Sequence, residues 1–251
     1  MKLLVFILLF VGCKSEEDNL SRYSYLLYGK DALAKDVVGT CFFVRNNNHI
    51  FIVTANHIAC GCTREHKRDY LSPKKMEVLL NGCPQTLSID IYKNWKTCDC
   101  NSPDYFIDTV SSIFSPYINS IEQFNLPIPD STNIEKFTMF GYHPTDDIFS
   151  LDQPALKTEI KSKFSVLPVE DDSHNIIPSI HSVAFGNEVN IDMALEGDSG
   201  CPTFIKDKSD GKWKFIGLFV SKKVGANNRI YITKKKIVED AIVNYGIDKG
   251  R

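Results

Sequence analysis

From Val37 onward the chain alternates short apolar runs, rich in β-branched and aromatic residues, with polar turns. Gly39–Val44 and His49–Thr54 are two such runs, joined by Asn46-Asn47-Asn48 in a hairpin pattern. Met76–Leu80, the alternating Leu87–Tyr92 and Asp104–Val110 read as further strands. After a connector, Phe114–Leu126, the pattern resumes at Lys136–Tyr142, Thr158–Val166, His181–Phe185, Pro202–Lys206, Lys212–Ser221 and Arg229–Thr233. Ser209-Asp210-Gly211 supplies a turn between two of these. Short, regularly spaced strands predict barrels or sandwiches and argue against alternating β-α units. One segment changes period: Ile237, Val238, Ala241, Ile242 and Tyr245 recur at helical spacing. Lys234–Tyr245 is therefore predicted as a helix that Gly246 can end.

The amino terminus follows a different logic. Lys2 precedes an unbroken apolar run, Leu3–Val11, too short for the roughly 20 helical residues that span a bilayer, so it reads as the apolar region of a signal peptide. Phe10-Val11-Gly12-Cys13 then gives way to the polar Lys14–Asn19. This resembles a bacterial lipobox, in which Cys13 is acylated and becomes the mature terminus. An ordinary secretory signal with an incidental cysteine is the alternative. Both put the mature protein outside the cytoplasm. The organisation expected is a signal peptide at 1–12, a tether at 13–36 that includes an edge segment, Tyr23–Tyr28, a first β-barrel at 37–113, a connector at 114–126, a second β-barrel at 127–233, and a helix with its tail at 234–251.

Composition narrows the classes. A chain of 251 residues, 43% hydrophobic, builds one large all-β domain or two small ones. The net charge of −2 has no basic stripe behind it, which excludes nucleic acid as an expected partner. Of the 8 cysteines, those beyond Cys13 are expected as disulfides rather than metal ligands in an oxidising compartment. Cys60-Gly61-Cys62 and Cys98-Asp99-Cys100 lack the usual Cys-x2-Cys spacing of zinc sites. No metal or organic cofactor is expected.

The chemistry concentrates at Glu196-Gly197-Asp198-Ser199-Gly200-Cys201-Pro202. A serine between two glycines in a tight turn ahead of a strand is how an acyl-transfer nucleophile is presented. The amides of Gly197 and Ser199 can converge on an oxygen that becomes negative. Far upstream, Thr54-Ala55-Asn56-His57 sets a histidine where a strand ends.

With Thr-Ala-x-His, a mid-chain acid and Gly-Asp-Ser-Gly in that order, residues 37–245 resemble the trypsin/chymotrypsin-like serine proteases. The resemblance implies an all-β fold of two antiparallel six-stranded barrels with a carboxy-terminal helix, and endopeptidase activity on protein or peptide substrates. It implies His57 as general base, Ser199 as nucleophile, Gly197 and Ser199 as oxyanion-hole amides, and Asp104 as the acid. Asp108 and Asp99 are the alternatives for the acid. Met193, six residues before the nucleophile, would floor the specificity pocket, where relatives specific for basic side chains carry Asp. Gly217–Ser221 resembles the strand lining the substrate groove. Ser221, Lys222 and Lys223 then border the pocket, and the two cations would favour acidic substrate residues, unless they are merely solvated strand-end lysines. Cys41 and Cys60 flank the histidine strand as a common family disulfide does, while Cys201 offers Cys41 a second partner. Asp198 has no activation-type amino terminus to pair with, so another partner is expected. Rival readings are a binding module that kept the fold and an esterase-like hydrolase.

Overall fold

The computed structural model describes residues 18–60, 75–91, 104–122, 134–142, 156–160, 165–167, 169–170, 176–177, 182–186, 197–223 and 229–248. Strands β2 (Asp36–Asn46) and β3 (His49–Thr54) pair antiparallel across a turn whose Asn47 has a φ of 53°. Asparagine tolerates that left-handed conformation better than most residues. Along these strands Cys41, Phe43, Ile50 and Ile52 enter one hydrophobic cluster, while Phe42, Val44, Phe51 and Val53 enter another. Alternation is intact, but both faces are buried, so the runs read as continuously apolar.

The first sheet adds β1 (Tyr25–Lys30), β4 (Lys75–Val78), β5 (Leu87–Asp90) and β6 (Phe106–Val110) in the order β5-β4-β1-β2-β3-β6. The segment expected at an edge is interior. β1 pairs with β2 on one side and β4 on the other, because Tyr25, Leu26 and Leu27 are all buried. A 3-10 turn, Asp18–Tyr23, precedes it, so part of the stretch expected as a tether belongs to the folded body. The connector also packs. A second 3-10 turn, Ser112–Tyr117, sends Phe114 into the first cluster, and β7 (Ser120–Ile121) pairs parallel with β2.

The second sheet contains β8 (Ile134–Gly141), β9 (Leu156–Ile160), β10 (Ser165–Leu167), β13 (Ser182–Gly186), β14 (Pro202–Asp207), β15 (Trp213–Lys223) and β16 (Arg229–Lys234). Its order is β10-β13-β16-β15-β14-β8-β9, with β11 (Val169–Glu170) and β12 (Ile176–Ile177) as a separate pair. The run Thr158–Val166 is thus two strands, β9 and β10, at opposite edges. Among the described residues each sheet has seven strands, the first including the short β7.

Three clusters hold this together. One lies within each sheet, and a third joins Phe42, Val44 and Val53 of the first sheet to Phe140, Phe204, Phe215 and Leu218 of the second. A one-turn helix, α1 (Asn56–Cys60), follows β3. The carboxy-terminal helix α2 (Lys235–Asp248) buries Val238 and Ile242 in the joining cluster. It continues two residues past Gly246, which a helix end tolerates at a cost of about 1 kcal/mol relative to Ala. The described residues thus form mainly antiparallel sheets, one nearly closed into a barrel, and a carboxy-terminal helix.

Candidate active site

Sheet register brings the histidine and its acid together. β3 pairs antiparallel with β6, Thr54 opposite Phe106, so the residues just beyond Thr54 face those just before Phe106. His57 Nδ1 lies 2.6 Å from Asp104 Oδ2, and the His57 backbone N–H donates to Asp104 Oδ1 at 3.0 Å. A carboxylate only accepts hydrogen bonds, so Nδ1 carries a ring proton, and in the neutral imidazole Nε2 is the acceptor. Both side chains are about 30% exposed, at a rim rather than in a core. Asp108, the alternative acid, accepts instead from the Tyr245 hydroxyl of α2 at 2.6 Å, and Asp99 lies outside the described residues.

The serine turn is built from the second sheet and gripped by the first. Gly197 and Gly200 have φ values of 101° and 90°. A Cβ on Gly200 would overlap the Thr40 carbonyl and the Thr54 hydroxyl, so no side chain fits there. Thr40 N–H donates to Ser199 O at 3.0 Å, and Thr40 Oγ1 donates to Gly197 O at 2.8 Å. Cys201 N–H donates to Asp198 O at 3.0 Å, and Gly200 N–H to Phe219 O at 2.8 Å. The carbonyls of Gly197, Asp198 and Ser199 are therefore all engaged, while among the described residues nothing accepts from the amides of Gly197 and Ser199. Asp198 is fully buried beside Gly141 of β8, where a Cβ would overlap its carboxylate.

Ser199 Oγ donates to Val220 O at 3.0 Å. A hydroxyl carries one proton, so in this rotamer it is not offered to His57. Val220 falls at a register shift of β15. Among the described residues β14 pairs with β15 only as far as Leu218, which leaves the edge beyond Phe219 open beside the serine.

Of the residues expected at a pocket, Ser221 is exposed on β15, opposite Tyr231, and Lys222 and Lys223 close that strand opposite Ile230 and Arg229. Met193 and Cys13 lie outside the described residues. The expectation that Cys41 pairs with Cys60 or Cys201 is corrected: Cys41, Cys83 and Cys201 are free thiols. Cys41 is packed inside the first sheet and Cys201 inside the second, and burial pushes both thiols well up. Burial likewise pushes the Tyr142 phenol up to about 12, keeping it neutral beside the site. Sequence reasoning missed Thr40, Val220 and Thr233, whose Oγ1 donates to Asp104 O at 3.2 Å. Each sits in an ordinary β-forming run, and only tertiary contacts distinguish it.

No protein-family model and no curated protein matches the chain. Among solved structures it is similar to the active form of the Rv3671c protease from M. tuberculosis, with a TM-score of 0.53 and 14% identity over 90% of this chain and 82% of that one. It also aligns with a thermostable serine protease, AL20, from an extremophilic microorganism, with a TM-score of 0.48 and 11% identity over 85% and 91% of the chains. The protease Anisep from Arthrobacter nicotinovorans aligns with a TM-score of 0.48 and 16% identity over 85% and 90%. At such identities the first likeness speaks for the fold: the chain has the fold of a chymotrypsin-like serine protease.

Proposed function

We propose that this protein is a serine endopeptidase that cleaves peptide bonds through an acyl-enzyme. The observation that carries this reading is Asp104 holding His57 through both carboxylate oxygens while the Ser199 turn is hydrogen-bonded to Thr40, in the strand that pairs with the one leading to His57. In the reaction Ser199 turns about χ1, away from Val220, to a second staggered position facing His57. His57 Nε2 takes its proton as Oγ bonds to the substrate carbonyl carbon. The carbonyl oxygen, now negative, accepts from the amides of Gly197 and Ser199, and one such donor typically contributes about 2.7–4 kcal/mol. The C–N bond breaks as His57 returns the proton to the leaving amine. Water then cleaves the ester by the same path in reverse. Asp104 fixes the tautomer throughout and stabilises the imidazolium.

Beyond Phe219, β15 pairs with no described strand on its β14 side, and backbone groups there suit an extended polypeptide substrate. Met193, Ser221, Lys222 and Lys223 are proposed to set side-chain preference. Residues 1–12 are proposed to direct export, and Cys13 to carry a lipid anchor at a bacterial membrane; incorporation of a palmitate analogue that disappears in Cys13→Ala tests this. A second reading, a catalytically silent binding module, is favoured by one observation, the Ser199–Val220 hydrogen bond.

Labelling with a fluorophosphonate, followed by peptide mass spectrometry, separates the two. The enzyme reading expects a label on Ser199 that is lost in Ser199→Ala and in His57→Ala, and cleavage of peptides from a mixed library. A folded protein that takes no label at Ser199 is the binding module.

A further inference from the structure

Two fully buried threonines cross between the sheets in opposite directions. Thr40 belongs to β2 of the first sheet but grips the serine turn of the second. Thr233 belongs to β16 of the second sheet but grips Asp104, two residues before β6 in the first. We infer that Thr40 and Thr233 are reciprocal positioning residues, each sheet supplying one hydroxyl that fixes the reactive segment carried by the other. This rests on the protease reading and assigns the parts that hold its geometry.

The hydrogen-bond inventory determines which way each hydroxyl points. Thr40 Oγ1 receives the Tyr142 backbone N–H at 3.0 Å, so its single proton is free to go to Gly197 O, at 2.8 Å. The same residue donates its own N–H to Ser199 O and receives the Thr54 hydroxyl on its carbonyl at 2.8 Å. Thr40 therefore anchors the carbonyls on both sides of the peptide that carries the Ser199 amide. The Cys201 N–H holds the carbonyl of the intervening peptide itself, Asp198 O, and Thr40 holds the planes on either side, so the Ser199 N–H keeps its aim. Thr233 does the corresponding task at the acid. Both carboxylate oxygens of Asp104 accept from His57, and the Thr233 hydroxyl on Asp104 O holds the backbone from which that side chain hangs. Thr233 is itself fixed, because its strand pairs with β15 and β13. Its carbonyl also lies where any Cβ on Gly217 would collide.

A buried threonine can act in this way or merely fill space, and the hydroxyl decides. Thr203 is the internal control: fully buried in β14, with an Oγ1 that has no partner among the described residues. Thr40→Val, Thr233→Val and Thr203→Val remove a hydroxyl at nearly constant shape. Thr40→Ser and Thr233→Ser keep it.

The experiment is fluorophosphonate inactivation of each variant, separated into the maximal rate and the concentration for half-maximal rate, with melting temperature in parallel. Amide hydrogen exchange across residues 197–201 and 54–58 is followed in the same proteins. Thr40→Val is expected to lower the maximal rate about 100-fold, the scale of one misplaced oxyanion donor, with the half-maximal concentration within about threefold. Thr233→Val is expected to lower it at least about 10-fold. The serine variants are expected to return to within about threefold of the native rate, and Thr203→Val to match it. Exchange accelerates at 197–201 in Thr40→Val and at 54–58 in Thr233→Val. Valine variants that melt lower yet keep the native maximal rate and local exchange would overturn the inference, as would serine variants no better than valine. Native protein that takes no label refutes the protease reading instead, and the exchange patterns still decide whether the two threonines hold these segments.

Discussion

Replacing Asp104 by Asn tests the central pair. The carboxylate serves two donors, the His57 N–H at 3.0 Å and Nδ1–H at 2.6 Å, and a carboxamide has one oxygen for both. With the oxygen on the backbone N–H, the amide NH2 faces Nδ1, which must then give up its proton. The imidazole carries hydrogen on Nε2 and can no longer accept from Ser199. With the amide flipped, NH2 confronts the backbone N–H, and that unsatisfied donor costs about 1–3 kcal/mol. This penalty alone leaves the competent flip roughly 5- to 150-fold down, at about 1.36 kcal/mol per decade. The full tautomer effect of such a substitution is about 10⁴-fold, or roughly 5.4 kcal/mol. The second-order rate of fluorophosphonate labelling at neutral pH should therefore fall by between these limits. The melting temperature, read by circular dichroism, should stay within a few degrees, because both side chains are partly solvated at a rim. Labelling within about fivefold of native in a folded Asp104→Asn protein would refute the assignment of Asp104.

Gly200→Ala places a Cβ against the Thr40 carbonyl at a φ of 90°; we expect a melting temperature several degrees lower and loss of Ser199 labelling, measured on the same sample. Asp207 is 2% exposed, and hydrogen bonds from Lys214, then from the Ser209 amide and hydroxyl, hold its carboxyl down to about 2. The folded state favours the ionised form, so this contribution is complete above the ordinary value of about 3.9 and is lost as pH falls toward about 2. Urea midpoints should drop over that window, and Asp207→Asn should flatten the drop; parallel curves would refute the account. Pulsed iodoacetamide on native protein should modify Cys83, which is partly exposed, and spare the buried Cys41 and Cys201 until urea unfolds the chain.

Many of the strands could be read from the chain because successive residues alternate between faces, whereas their order within the sheets could not. Phe42 and Phe43 go to different cores, as do Phe215 and Ile216. The same double burial hid the position of β1: Tyr25, Leu26 and Leu27 are all buried, yet the segment is short and follows a polar stretch. His57, Asp104 and Ser199 stand out in the sequence because they follow a motif, and the structure brings His57 and Asp104 into contact. Their hydrogen-bond partners were not visible. Thr40 and Ser199 stand 159 positions apart, and the bond between them depends on how two sheets meet, which no local pattern encodes. The disulfide expectation failed for Cys41 because compartment says which chemistry is available, whereas packing put Cys41 and Cys201 in separate cores.

The crossed threonines also impose an order in time. Synthesis runs from the amino end, so His57 and Asp104 come together in the first sheet while the serine turn is still unmade. The turn needs β15 for its Gly200 amide, and Asp104 needs Thr233 of β16, and both strands come later in the chain. A half-finished chain thus carries a histidine and an acid without the nucleophile's support. Whatever reactivity the assembled site has arises only once β16 has joined the second sheet, so a partly made chain is not exposed to a finished site of its own.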